Sequence, residues 1–321
     1  MSPLGVSGAI LSWLGQQGTR AIAAVVIIAI AVPPLGALLK PFVTAAIFAL
    51  LTIAFVRTDA VALRQYVTKP ALLGAASIWT AVVVPSLFAM VAAFAGLYQR
   101  SPDLFLAIML QGIASPMMAA PAFAALLGLD ATLVVLTLTV SSALAPFTAP
   151  LIATAFIGRA LPISPLALSV RLLAILGGSA LTAFVVRRAF GFARIEKWKL
   201  PIDGLNVLLF FVFVAAAMQD VGARFIAAPM IIVELTLFAF GVFLSVLGLT
   251  VLAFAWAGLD RALALGLMTS QRNLGLILAA AGSLPELAWL YFGLCQLPIY
   301  LSPQLLKPVL RRLPSRIRSA P

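Results

Sequence analysis

Long apolar runs follow one another along the chain, separated by short clusters of charged residues, proline and glycine. Runs of this length match transmembrane helices, which need about 20 apolar residues each. No run shows the apolar–polar alternation of a spanning strand, so the pattern indicates helices. We therefore predict an all-α membrane protein with about ten transmembrane helices, at residues 20–38, 41–56, 70–97, 102–127, 130–157, 165–187, 200–219, 228–257, 261–282 and 285–309.

Composition supports this assignment, since 64% of the 321 residues are hydrophobic and only 9% are charged. Residues 1–19 are predicted to form a cytoplasmic or interfacial segment, with a short helix over residues 4–14. The first span has no small-residue cleavage pattern after it, so we expect it to be retained.

Lysine and arginine cluster at the ends of the predicted spans. With both termini in the cytoplasm, fifteen of them fall on the cytoplasmic side and four outside, which is the positive-inside bias. The net charge of +12 therefore reflects orientation in the lipid bilayer and predicts no nucleic-acid partner. We expect an integral protein of a bacterial inner membrane.

Ten spans divide into two five-helix halves, at 20–157 and 158–309, followed by a basic cytoplasmic tail at 310–321. Halves with five spans enter the membrane from opposite sides, as in the inverted repeats of secondary transporters. Residues 114–116 of the fourth span match residues 269–271 of the ninth in order. An acid follows each segment, at Asp130 and Glu286.

The ninth span contains the polar run Ser270, Gln271, Arg272 and Asn273 between apolar stretches. An arginine near the middle of a bilayer costs roughly 3 kcal/mol even on lenient scales, so such residues usually have a function. Arg272 could pair with carbonyl groups at a broken helix or contact an anionic substrate. A misplaced span boundary is a third explanation.

The fourth span contains Pro116 and Pro121, five residues apart. Each proline removes a backbone donor and frees a carbonyl one turn earlier. The span is therefore either a kinked helix or a discontinuous helix whose ends point at a ligand, with Ser115 at the break. Ser142, beside Pro146 in the fifth span, could line the same cavity or bond to its own helix.

The fourth and fifth spans carry a further ordered set of residues. It consists of Pro-Asp-Leu at 102–104, Gly112, Asp130 and the run Ser-Ser-Ala-Leu-Ala-Pro-Phe-Thr-Ala-Pro at 141–150. In this order and spacing they resemble the bile acid:sodium symporter family, over residues 69–150 and again at 265–282. The resemblance implies two inverted five-helix repeats with discontinuous crossing helices four and nine. It also implies two groups of helices, a panel and a core, arranged for alternating access. The transported substrates would be organic anions, usually carried together with sodium.

The sodium ligands that the resemblance implies are replaced in this chain. Their positions fall on Thr80, Ala120, Pro121, Val134, Leu138, Met268 and Arg272. Methyl and thioether groups offer sodium no hard oxygen ligand, and a guanidinium repels a nearby cation. We therefore predict that the usual two-sodium site is absent and that Arg272 supplies the positive charge. A proton stays open as the coupling ion.

The chain has no histidine and one cysteine, Cys295. With no carboxylate pair or nucleophile motif either, it offers nothing for acid–base or covalent catalysis. We predict no enzyme activity, no cofactor and no metal site.

Our leading prediction is a secondary transporter of a small organic anion. The alternatives are a sodium-coupled symporter with a relocated ion site and a non-transporting membrane ligand sensor. The candidate substrate-binding residues are Arg272, Asn273, Gln271, Ser270, Ser115, Pro116, Pro121, Thr80 and Ser142.

Overall fold

The computed structural model describes residues 3–17, 19–57, 70–158, 161–219 and 221–311. Within these ranges the regular elements are helices, and no strand is formed. Six helical stretches among them are long and apolar enough to cross a membrane: Pro33–Arg57, Pro70–Phe94, Ala131–Phe156, Pro165–Phe190, Lys199–Ala217 and Pro229–Ala253. The predicted all-α class is confirmed, and the apolar helices support an integral membrane protein.

The helices, in chain order, are α1 (Pro3–Gln17), α2 (Thr19–Ala31), α3 (Pro33–Leu39), α4 (Val43–Arg57), α5 (Pro70–Ile78), α6 (Val84–Phe94), α7 (Leu97–Arg100), α8 (Pro102–Ile113), α9 (Ala120–Leu126), α10 (Ala131–Phe156), α11 (Pro165–Phe190), α12 (Phe192–Lys197), α13 (Lys199–Ala217), α14 (Val221–Ala227), α15 (Pro229–Ala253), α16 (Leu259–Ser270), α17 (Leu274–Ala281) and α18 (Glu286–Arg311). A 3-10 turn at Lys40–Phe42 joins α3 to α4, and another at Ala255–Ala257 follows α15. A π turn at Trp79–Val83 joins α5 to α6.

The first predicted span, at residues 20–38, contains a break that the sequence pattern did not predict. Helix α2 ends at Ala31 and α3 begins at Pro33. From there the chain continues through the 3-10 turn at Lys40–Phe42, and the stretch Pro33–Arg57 is long and apolar enough to cross a membrane. Two consecutive prolines cannot continue α2, because they lack the N–H that the helix needs. The same prolines fit the first turn of α3, where that donor has no partner in any helix.

Some predictions fall on residues outside the described ranges. These are the loop cations Arg64 and Lys69, the outer-loop cation Arg159, and the basic tail from residue 312 onward. The helix predicted near the N-terminus is confirmed as α1.

By packing, the chain forms two compact units, each assembled from two stretches of sequence. Unit 1 comprises Met1–Thr58 and Leu173–Ile232, and unit 2 comprises Asp59–Leu172 and Val233–Pro321. Packing does not report on repeat symmetry, so the two predicted five-helix halves stay a prediction.

In unit 1, α13 packs against α1, α2, α3 and α4. Glycines allow this close approach, as is typical of membrane helices. A Cβ at Gly204 would collide with the carbonyl oxygen of Leu11, and a Cβ at Gly36 would lie 2.5 Å from the carbonyl oxygen of Ala215.

In unit 2, α10 packs against α5, the π turn, α8, α9 and α16. An apolar cluster fills the space between these elements. Four of its members are positions where the resemblance would place sodium ligands: Ala120, Val134, Leu138 and Met268. Apolar side chains therefore pack against one another there, and they offer a cation no side-chain oxygen.

Candidate functional site

The π turn at Trp79–Val83 leaves a backbone carbonyl without its helical partner. The N–H of Val84 donates to the carbonyl of Trp79, one residue further back than in an α-helix. In that wider register the carbonyl of Thr80 would pair with residue 85, which is proline and has no N–H. The Thr80 carbonyl is therefore free to accept a bond from elsewhere, and such π turns are frequent at functional sites.

The fourth predicted span is interrupted after α8, so it is a discontinuous helix rather than a kinked one. Ala114 adopts an extended conformation (φ −62°, ψ 142°), and the helix resumes only at α9. Pro116 favours this break because the residue before a proline is pushed out of the helical region. Pro121 lies in the first turn of α9, where proline is tolerated.

The ninth predicted span is interrupted as well, without a proline. Helix α16 ends at Ser270, and Gln271 is extended (φ −93°, ψ 97°). Asn273 begins α17 as its N-cap: its side-chain oxygen accepts a hydrogen bond from the N–H of Leu276 at 3.1 Å. An asparagine cap makes a new helix start stable at this point.

The two interruptions pair with each other in antiparallel fashion, with Pro116 opposite Arg272. The N–H of Met117 donates to the carbonyl of Gln271 at 2.8 Å, and the N–H of Asn273 donates to the carbonyl of Ser115 at 2.8 Å. Non-helical backbone at membrane depth must find such partners within the protein. Each break therefore supplies hydrogen-bond partners for backbone groups of the other. We call the paired segments 114–117 and 271–273 the crossing.

Arg272 lies inside the crossing with 2% of its surface exposed. Its Nη1 donates to the Thr80 carbonyl at 3.1 Å and to the Ala114 carbonyl at 2.9 Å. Its Nε and Nη2 are buried and have no hydrogen-bond partner among the described residues. The guanidinium thus bonds to the two freed carbonyls through Nη1, whereas Nε and Nη2 have no described partner.

No described carboxylate balances this charge. No described Asp or Glu oxygen lies within 4.0 Å of the Arg272 nitrogens. Glu234 is exposed, and Asp130 instead pairs with Arg261 at 3.8 Å. Arg272 is therefore a buried cation with two carbonyl partners and no ion pair in the described chain.

Charged residues at the starts of α10 and α16 form a separate group. Asp130 caps α10 by accepting from the N–H of Leu133 at 2.9 Å. Burial raises the pKa of Asp260, repulsion from Asp130 adds to the rise, and Arg261 opposes it.

The crossing brings together Arg272, Asn273, Gln271, Ser115 and Pro116. Gln271 turns away from it in part, since its Nε2 donates to Ser302 Oγ at 2.9 Å while its Oε1 has no described partner. Ser115 Oγ is likewise buried without a described partner.

The other predicted residues lie around the crossing with different partners. Thr80 Oγ1 lies 3.1 Å from Thr269 Oγ1, so this hydroxyl is occupied while the carbonyl serves Arg272. Ser270 Oγ donates back to the Leu267 carbonyl at 2.9 Å. Ser142 lies on α10, and its buried hydroxyl has no partner among the described residues.

Sequence reasoning missed two contacts around the site. Pro303 removes the donor that would serve the Ile299 carbonyl, and both Ser302 Oγ (2.7 Å) and Gln271 Nε2 (3.5 Å) donate to that carbonyl instead. The position of Pro303, four residues after Ile299, is the sequence signal for this contact.

A second missed contact joins Tyr291 of α18 to α8, because its hydroxyl donates to Gln111 Oε1 at 2.6 Å. Nothing in the sequence pattern indicates that pair.

Comparison with protein-family models and with curated proteins finds no match to this chain.

Proposed function

We propose that this protein is a secondary transporter that carries a small organic anion across a membrane by alternating access. The observation that carries the proposal is Arg272, a buried cation at two paired helix breaks with Nε and Nη2 unpartnered. Intramembrane arginines usually face a substrate pathway or a charged partner. Since no described carboxylate pairs with Arg272, an anionic substrate is the partner we propose.

The scaffold we propose is that of the bile acid:sodium symporters, with ten spans in two inverted five-helix repeats. Two helix breaks that pair with each other lie in the fourth predicted span of each half. Discontinuous helices at corresponding positions of two halves are typical of substrate sites in such transporters. Two compact units that each draw on both halves agree with the panel and core that the resemblance implies.

We propose further that the usual sodium pair does not drive transport. Ala120, Val134, Leu138 and Met268 form part of one buried apolar cluster. Sodium prefers several oxygen ligands, and these side chains have none. The fixed positive charge of Arg272 then attracts the anion in place of bound sodium.

A sodium-coupled symporter with a relocated ion site is the second candidate, and one observation favours it. Buried hydroxyl oxygens on α5 and α10 have no described partner; they belong to Ser77, Thr137, Ser141 and Ser142. Buried polar atoms without a protein partner usually bind water or an ion. Thermal stability of the purified protein in sodium against potassium, at equal ionic strength, separates the two candidates, because a ligand of the folded state raises the midpoint.

We expect equal midpoints in the two salts. A saturable rise specific to sodium would instead restore sodium symport as the leading function.

Transport itself is tested with proteoliposomes in potassium salts free of sodium. The labelled probes are benzenesulfonate and hippurate, with protein-free liposomes as the control. We expect saturable uptake of a monovalent organic anion. Stabilisation by these anions without any uptake would identify a membrane ligand sensor instead.

A further inference from the structure

The geometry of Arg272 points to a specific binding mode: the substrate is a monoanion whose carboxylate or sulfonate is bound side-on by Nε and Nη2. This inference rests on the proposed function, because it names the substrate class of the same site. Charge attraction alone would fix neither the edge of the guanidinium that binds nor the number of charges on the substrate.

The guanidinium divides into two parts. Arginine has five N–H donors in a fixed planar fork. Nη1 uses both of its hydrogens on the Thr80 and Ala114 carbonyls, at 3.1 and 2.9 Å. The N–H of Nε and one N–H of Nη2 point in parallel along another edge, which matches the two oxygens of a carboxylate. That edge is intact and unpartnered in the described chain.

The backbone fixes which edge is open. The Thr80 carbonyl is available because of the π turn and Pro85, and the Ala114 carbonyl because α8 ends one residue earlier. These acceptors belong to two different helical elements, so together they set the plane of the guanidinium. Rotation that offered another edge would leave two buried carbonyls without donors, at about 1–3 kcal/mol each.

The charge balance limits the substrate to one negative charge. Among the described buried polar side chains, Arg272 is the one that carries a charge. A monoanion neutralises it. A dianion would bring an uncompensated second charge into a low-dielectric site, which costs several kcal/mol of desolvation.

Solvent does not reach Nε and Nη2 in this conformation. An anion therefore reaches it only when the crossing opens, as the proposed alternating access requires.

Calorimetric titration with potassium salts tests the inference on the wild-type protein. Benzoate, benzenesulfonate and octanoate are the monoanions, and isophthalate is the matched dianion of benzoate. We expect saturable binding of at least one monoanion, and isophthalate to bind at least 10-fold more weakly than benzoate. Tighter binding of isophthalate, or no binding of any of the four, overturns the inference.

Arg272→Lys tests the fork separately, because lysine keeps the charge as a single point donor. We expect benzoate affinity to fall by about 10-fold or more in a variant that stays monodisperse. Wild-type affinity in this variant would show that a point charge suffices and would overturn side-on binding.

The binding titration and the uptake assay test the two proposals separately. Selective monoanion binding without uptake leaves this inference standing and removes the transport proposal. Uptake combined with a preference for isophthalate leaves transport standing and removes the inference.

Discussion

Replacement of Arg272 by glutamine is expected to reduce anion uptake to the level of protein-free liposomes while the protein still folds. The substitution removes the cation and the open Nε–Nη2 edge, the donors to which we assign the substrate. We expect only a modest change in the free energy of unfolding, because two effects on it oppose each other. Glutamine loses hydrogen bonds to the Thr80 and Ala114 carbonyls, worth about 1.5–3 kcal/mol each when the donor is charged. It also relieves the desolvation cost of a buried, unpaired charge, which is several kcal/mol.

Arg171→Gln is the matched control for this experiment. Arg171 also donates to a backbone carbonyl in unit 2, through Nη1 to Ala280 at 3.2 Å, but it lies outside the crossing. We expect this variant to keep saturable uptake. If Arg272→Gln retains binding and uptake while its folding yield falls, Arg272 is a structural cation only.

Replacement of Asn273 by proline is expected to destabilise the protein severely. The φ angle of Asn273 is −79°, within the range that proline adopts, so the substitution imposes no strain on φ. Two interactions are lost nevertheless. The N–H that donates to the Ser115 carbonyl disappears, which leaves a buried acceptor unpaired at about 1–3 kcal/mol. The side-chain cap on Leu276 also disappears, at about 0.5–2 kcal/mol.

Thermal unfolding, with Asn273→Ser as the control, measures this effect. Serine retains the backbone donor and can also cap a helix, so its midpoint should stay near that of the wild type. Equal midpoints for the proline and serine variants would contradict the pairing of the two helix breaks.

The helical architecture could be predicted from sequence because membrane helices depend on local apolar length. The predicted spans at 130–157, 200–219 and 285–309 end within a few residues of α10, α13 and α18. The break at Val32 was not predicted, although Pro33 and Pro34 are the sequence signal for it.

The two interruptions could also be predicted, one from Pro116 and one from the polar run around Arg272. Only the family resemblance implied that they cross. The backbone bonds between them could not be predicted, because these bonds join segments more than 150 residues apart in the chain. Thr80 entered the candidate set through the family resemblance alone. Its real contribution is a carbonyl freed by Pro85, and a residue type says little about a backbone group. Gln271 was predicted to bind substrate, but its side-chain Nε2 donates to Ser302 of α18.

The most direct test of side-on anion binding by Arg272 is a crystal structure with bound 4-bromobenzoate, whose bromine can be located by anomalous scattering. We expect one carboxylate oxygen about 3 Å from Arg272 Nε and the other about 3 Å from Nη2, with Nη1 still bonded to the Thr80 and Ala114 carbonyls. A carboxylate side chain of the protein on that edge, or bromobenzoate bound only at a site remote from the crossing, would contradict side-on binding.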